Sequence, residues 1–496
     1  MTTQRRPDLV PAAIAEARVI KNAFRHAGIH VKTEPEPDGG IAFMYQKGVL
    51  LVRDEDLNRV LAIVAPPETE ILDPLYPEDR FPPERPVPEE RGEGTGESRR
   101  EPPGETGEPP AWRPQLRRVT RGLVALALFG SRFEDDDHRD DDSEPQDERG
   151  PSGTLLALSE IDRQLGAGVA TPNHVVTVSP VLPCMAHEAE EVPLDIEPEP
   201  GPCPGHGGAG VRIFVADTGL VAGAAADHAW MAGVQGDPDP AAIPPGHDPD
   251  DLLPYAGHGT FVTGVLRCAA PAAEIYCANV FNLAGSALEA DAVPKLDLAL
   301  DEGYDLFNLT ISASTRKLLP LAAFNAWRRR LRDRKGVACV VAAGNNGLER
   351  PFWPAAFRGM IAVGALAADG RTRASFSNYG SWVDVYARGR GLVNAWGTGR
   401  YCTYVPPQDG QDRRFQGMAR CSGTSFSTPI VTGRIADRMS RTGENAEQAA
   451  AAVLAGARFV PGVGRVVQPC ADEDCRPRGC RPGDCRDKGC PDKDSC

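Results

Sequence analysis

From about residue 208 onward, this 496-residue chain predicts an α/β fold with a mostly parallel central sheet, preceded by a partly disordered α+β region. Three observations carry that expectation. Short β-branched runs at 211–216, 274–280, 305–311, 337–342, 361–363 and 383–385 alternate with helical segments and Gly-rich turns. Such alternation implies right-handed crossovers and a parallel sheet covered on both faces. The polar motifs fall just past the strand ends or at the starts of the following helices, where these sheets gather functional groups.

Composition sets the outer bounds. Hydrophobic residues make up 41%, enough for a sizeable core, while 46 Pro and 52 Gly point to linker. The formal charge is −15, from 69 acidic against 54 basic residues. A nucleic-acid binder needs a basic face to meet phosphate, so that class is not expected. The longest apolar run, Gly122 to Gly130, is far below the roughly 20 residues of a membrane-spanning helix and reads as a buried strand. Arg5 and Arg6 are followed by no apolar stretch, so no signal peptide is visible. The expected location is therefore cytoplasmic, with secretion by a route not visible in the sequence as the alternative.

Residues 1–65 read as a small α+β unit. Residues 12–27 have helical periodicity and stop at Gly28; 29–33, 41–45 and 49–52 read as short strands; 54–64 reads as a second helix with Asp54 as its N-cap. Residues 66–115 are so rich in Pro, Glu, Gly and Arg that they cannot offset their ordering entropy, and disorder is expected. Residues 116–200 hold a strand (116–129), a helix (155–165) and a strand (175–178), interrupted by an acidic insert at 134–148. That insert reads as a solvated, self-repelling run, because the glycine and spacing of a calcium loop are missing.

Four motifs carry chemistry. In Val211-Arg-Ile-Phe-Val-Ala-Asp217-Thr-Gly219 a hydrophobic strand delivers a carboxylate at its end. His258-Gly-Thr260-Phe-Val-Thr-Gly264 opens an apolar helix on a histidine. Gly423-Thr-Ser425-Phe-Ser-Thr-Pro429 opens another on a serine. In Val340-Val-Ala-Ala-Gly344-Asn345 a buried strand runs into a polar turn whose asparagine carries an NH2 donor. Each alone has an ordinary reading: a strand-end turn, a solvent-facing histidine, a serine N-cap, a simple turn. Together they supply what acyl transfer from serine needs: a nucleophile, a base, a carboxylate to orient the base, and an oxyanion donor.

These motifs, in the order Asp, His, Ser, resemble the signatures of the subtilisin-like serine peptidases (family S8), and the similarity covers about residues 208–460. Supporting stretches are Ala270-Pro-Ala-Ala-Glu-Ile, Trp353-Pro-Ala-Ala-Phe, Ile361-Ala-Val-Gly and Ala374-Ser-Phe-Ser-Asn-Tyr-Gly380. The resemblance implies the subtilisin-like three-layer fold and a serine endopeptidase acting on polypeptides, with no cofactor required for the chemistry. Ser425 would be the nucleophile, His258 the general acid/base and Asp217 its orienting carboxylate. Asn345 and the Ser425 N–H would form the oxyanion hole. It also implies substrate binding at Thr310, Ser312 and Gly344, although the stretch Asn308-Leu-Thr-Ile-Ser-Ala lacks the family's usual Ser-x-Gly. An N-terminal propeptide is common in the family. Residues 1 to about 200 stand where one would, as an intramolecular inhibitor; an unrelated accessory domain is the other reading.

The tail, 466–496, holds six of the thirteen cysteines: Cys470, Cys475, Cys480, Cys485, Cys490 and Cys496. In a reducing compartment they suit zinc or another soft metal; in an oxidising one they suit disulfides; a tail with neither is the third reading.

Overall fold

A computed structural model of the chain describes residues 10–76, 111–134, 152–178, 188–242 and 246–470, apart from 38, 194, 247, 249, 407 and 408. The expected acidic insert, apart from Glu134, and the tail beyond Cys470 lie outside the described residues.

The C-terminal half is built on a large, nine-stranded sheet. In spatial order its strands are Arg458–Val460, Gly464–Val466, Val385–Arg388, Ile361–Leu366, Ala338–Ala342, Leu306–Leu309, Arg212–Asp217, Glu274–Asn279 and Gln235–Gly236. Every neighbouring pair is parallel except the terminal hairpin. The chain enters at Arg212–Asp217, builds outward to Glu274–Asn279, then returns past its starting strand to Leu306–Leu309. The end of Arg212–Asp217 is thus the topological switch point, where open α/β sheets leave a crevice.

Both faces are covered, and the side-chain alternation of Leu306–Leu309 shows how. Phe307 packs edge-on against Trp327 of the helix Ala322–Asp333, on one face. Asn308, pointing the other way, accepts a hydrogen bond from Thr432 of the helix Thr424–Thr442. The helix His258–Ala269 packs beside Thr424–Thr442. These strands are mostly apolar because, apart from Arg212, their residues are buried.

Described residues up to 178 form most of a second sheet. Its strands run Ala170–Thr177, Ile41–Arg53, Leu123–Ala127, Gln115–Thr120, with Val31–Pro35 also paired to Ile41–Arg53. With the helices Leu57–Val64 and Gly153–Leu165, the chain order from Ile41 is β-α-β-β-α-β, and every strand pair here is antiparallel. The helix Val10–His26 and the strand Val31–Pro35 are additions ahead of that unit. The two sheets are not separate bodies. Ser286–Leu288 of the C-terminal half pairs with Ala170–Thr177, and one core joins Val49, Leu51 and Leu123 to the large sheet.

Several sequence expectations shift. The runs at 41–45 and 49–52 are one strand, carried through Gly48 with its positive φ of 74°. The run at 116–129 is a hairpin that turns at Gly122, φ 81°. Asp54 is not an N-cap: it starts a 3-10 turn, and its carboxylate binds Arg118. The disorder expected over 66–115 is corrected at both ends. Glu70–Ile71 pairs with Ala111–Trp112, and the buried indole of Trp112 donates to the Phe129 carbonyl. The antiparallel hairpin Leu392–Cys402 with Asp412–Cys421 went unread because its Arg and Gly residues interrupt any apolar alternation.

Candidate active site

Asp217 is the last residue of its strand, at the switch point. One oxygen, Oδ1, lies 2.6 Å from His258 Nδ1 and also accepts the Thr218 N–H at 2.7 Å. The other, Oδ2, accepts the Thr310 hydroxyl at 2.6 Å. A carboxylate held on both oxygens cannot rotate, so it orients the imidazole through Nδ1 and leaves Nε2 outside this pair.

His258 is the first residue of its helix because Gly257, in the left-handed region at φ 84°, ends the loop there. A Cβ on Gly257 would fall 2.9 Å from Gly397 N and 3.0 Å from the Trp396 ring, so the position needs glycine. The imidazole rests against Phe426, 5.1 Å between ring centres. Ser425 is the second residue of Thr424–Thr442, following Gly423.

Asn345 follows the strand Ala338–Ala342 through Gly344, φ 95°. Its Oδ1 accepts both the Thr424 N–H (2.8 Å) and the Thr424 hydroxyl (2.9 Å). That locks the amide with its oxygen toward Thr424 and its NH2 at the opposite end. Asn378 pins the same turn, taking the Asn346 and Leu348 N–H groups and donating to the Ala343 carbonyl.

Ser425 Oγ donates at 3.2 Å to the carbonyl of Val178, one residue past the strand Ala170–Thr177. That strand enters as the middle of three. Thr177 exchanges both backbone bonds with Ser312 (3.1 and 2.9 Å), and the Val178 N–H donates to the Gly285 carbonyl. All three residues are sealed from solvent: Asp217 and His258 are fully buried and Ser425 nearly so.

Of the residues expected to bind substrate, Ser312 pairs with this entering strand, and its buried Oγ has no hydrogen-bond partner among the described residues. Gly344 stands beside it: an added Cβ would lie 3.1 Å from Ser312 Oγ and 2.6 Å from Asn378 Nδ2. Thr310 differs from these two: its buried hydroxyl donates to Asp217 Oδ2. Cys470 is corrected. It is disulfide-bonded to Cys203 and has no thiolate to offer a metal. The other tail cysteines lie outside the described residues, among which no group of three or more His, Cys, Asp or Glu side chains stands ready for a metal. Nor, among the described residues, is any helix long and apolar enough to cross a membrane. Sequence reasoning missed Thr424, Asn378 and Thr218 as supports. They sit inside or next to quoted motifs, but nothing local distinguished their roles.

Residues 208–460, half of the chain, match the Subtilase family. The chain belongs to the subtilase family. It is 30% identical to Subtilisin Savinase of Lederbergia lenta over 46% of its own length and 76% of that protein's. It is 32% identical to the Thermophilic serine proteinase of Bacillus sp. (strain AK1), over 44% and 50%. It is 30% identical to the Extracellular serine proteinase of Thermus sp. (strain Rt41A), over 46% and 50%. The chain thus spans about half the length of the last two relatives. In this subtilase the family match begins after the strand Ala170–Thr177, so the Val178 contact joins the matched residues to those outside the match.

Proposed function

We propose that this chain is a serine endopeptidase that cleaves polypeptides through an acyl-enzyme on Ser425. The observation that carries the reading is the Ser425 hydroxyl aimed at a backbone carbonyl, beside an Asp217–His258 pair at 2.6 Å. His258 takes the serine proton as Oγ attacks and returns it to the leaving amine, while Asp217 stabilises the imidazolium. The Asn345 NH2 and the Ser425 N–H receive the oxyanion; each such donor is worth about 100- to 1,000-fold in rate. The chemistry requires no cofactor.

Substrate would bind extended, as a strand between Gly285–Leu288 and Ser312, because that is how residues 175–178 are held. The same contact supports the N-terminal sheet as an intramolecular inhibitor, with its own strand end in the substrate's place. The Cys203–Cys470 disulfide favours an oxidising compartment, and so the secreted alternative over the cytoplasm.

Labelling the full chain with a fluorophosphonate tests both parts. Native protein should take up label, and Ser425→Ala should take up none. Thr177→Pro, which removes the N–H given to Ser312, should label faster than native. No label in native or Thr177→Pro protein would sink the peptidase reading; equal rates would sink the inhibitory one.

A further inference from the structure

A second buried carboxylate reaches the histidine. Asp239 lies in the Pro- and Asp-rich loop ahead of the helix His258–Ala269 and is 4% exposed. Its Oδ2 accepts the Gly257 N–H at 2.8 Å and the Thr218 hydroxyl at 3.1 Å; its Oδ1 accepts the Ala241 N–H at 3.0 Å. Thr218 Oγ1 in turn accepts the Gly259 N–H at 3.0 Å, and the Thr218 N–H donates to Asp217. The peptide groups on both sides of His258 therefore lead to one carboxylate, directly at Gly257 and through Thr218 at Gly259.

This convergence is more than loop closure needs. The Ala241 bond alone is the local Asx-type contact that fixes such a turn. The other two bonds cross to the strand end that carries Asp217 and to the residue before His258. We propose that Asp239 is a positioning residue, holding His258 from both flanks and setting a second negative charge behind Asp217. Its consequence for rate rests on the peptidase reading above; its hold on the imidazole does not.

The electrostatic surroundings fit. Burial pushes the Asp239 carboxyl up to about 7, against its three hydrogen bonds and with help from the charge on Asp217. The groups around it are Asp217 at its strand end, His258 on the helix, and Cys277 on Glu274–Asn279. Burial, then Asp217, holds the Cys277 thiol well above its usual range. Asp237, in the same loop, is engaged by the Tyr276 hydroxyl and the Asn279 N–H. Protonating Asp239 removes an acceptor site, so either Thr218 must turn its hydroxyl or Ala241 loses its partner.

The test uses the full chain as native protein, Asp217→Asn, Asp239→Asn and Asp239→Ala. The proton between Asp217 and His258 should give a low-field NMR resonance that Asp217→Asn abolishes, which assigns it. Asp239→Asn keeps an oxygen for Gly257 and Thr218 but lacks the charge. It should shift that resonance and displace the pH dependence of Ser425 phosphonylation from that of native protein. Asp239→Ala also loses the anchors; the resonance should broaden or vanish, with phosphonylation slowed about 100-fold. Folded Asn and Ala variants with native resonance and native pH profile would overturn the proposal. If Asp239→Ala does not fold, Asp239→Asn decides alone. A native chain that never reacts, yet whose resonance responds to Asp239, would count against the peptidase reading and for the positioning role.

Discussion

The two sheets of this molecule differ in what their strand ends deliver. The large sheet is parallel, so its strand C-termini collect on one edge, and Asp217 and the Gly344–Asn345 turn sit there together. The N-terminal sheet is antiparallel, so its strand ends scatter to both edges, and one strand end, Thr177, reaches the site. Strand direction decides whether a sheet can build a site or only reach one. The junction between them is also unlike either core. It buries polar pairs: Glu16 with Tyr255, Asn173 with the Ala290 N–H, and His174 with Glu289 at 3.0 Å.

The contrast predicts changes that separate the two halves. The largest effect belongs to the catalytic edge. Asp217→Asn should slow phosphonate labelling by about 10,000-fold, read by gel fluorescence, with the circular-dichroism melt little changed.

Next comes the junction, through pH. Burial pushes the Glu16 carboxyl up from 4.5 to about 8, opposed by the Tyr255 hydroxyl. The folded value lies above the unfolded one, so its support is full below about 4.5 and is lost as pH rises through about 8. The change is on the order of 5 kcal/mol. Thermal melts should fall across that range in native protein and less in Glu16→Gln. Tyr255 gives its carbonyl to the His258 N–H and packs with Val178 around Gly285. Alkaline pH should therefore raise the labelling rate of native protein relative to Glu16→Gln.

A smaller loss is expected at the oxyanion turn. Asn345→Ala should lower the rate about 100- to 1,000-fold and leave the Glu16 pH response intact.

The smallest effect sits in the N-terminal sheet. Ser152 caps the helix Gly153–Leu165, accepting the Leu155 N–H, and its hydroxyl lies 2.7 Å from that of Tyr45. Ser152→Ala should cost about 1 kcal/mol in chemical denaturation and leave the reactivity of Ser425 unchanged once the strand end is displaced.

What was legible in the sequence was local. Arg212–Asp217 announces itself as an apolar run ending in a carboxylate, and the helices after His258 and Ser425 by their small residues and periodicity. Boundaries moved where glycine let one strand continue, at Gly48, or made a strand turn back, at Gly122. The hairpin from Leu392 stayed hidden because its stability lies in cross-strand pairing, which has no local signature.

By itself the sequence predicted the parallel fold and singled out Asp217, His258, Asn345 and Ser425 as candidates. Each sits where a hydrophobic run meets a polar turn, and that boundary is written in adjacent residues. Only the tertiary structure decided that Thr310 donates to Asp217, that Asp239 brackets His258, that Val178 lies on Ser425, and that Cys470 is bound to Cys203. In those contacts the partners lie from 18 to 267 residues apart. Only packing brings them together, and one carboxylate in a Pro- and Asp-rich loop reads like the next until it does.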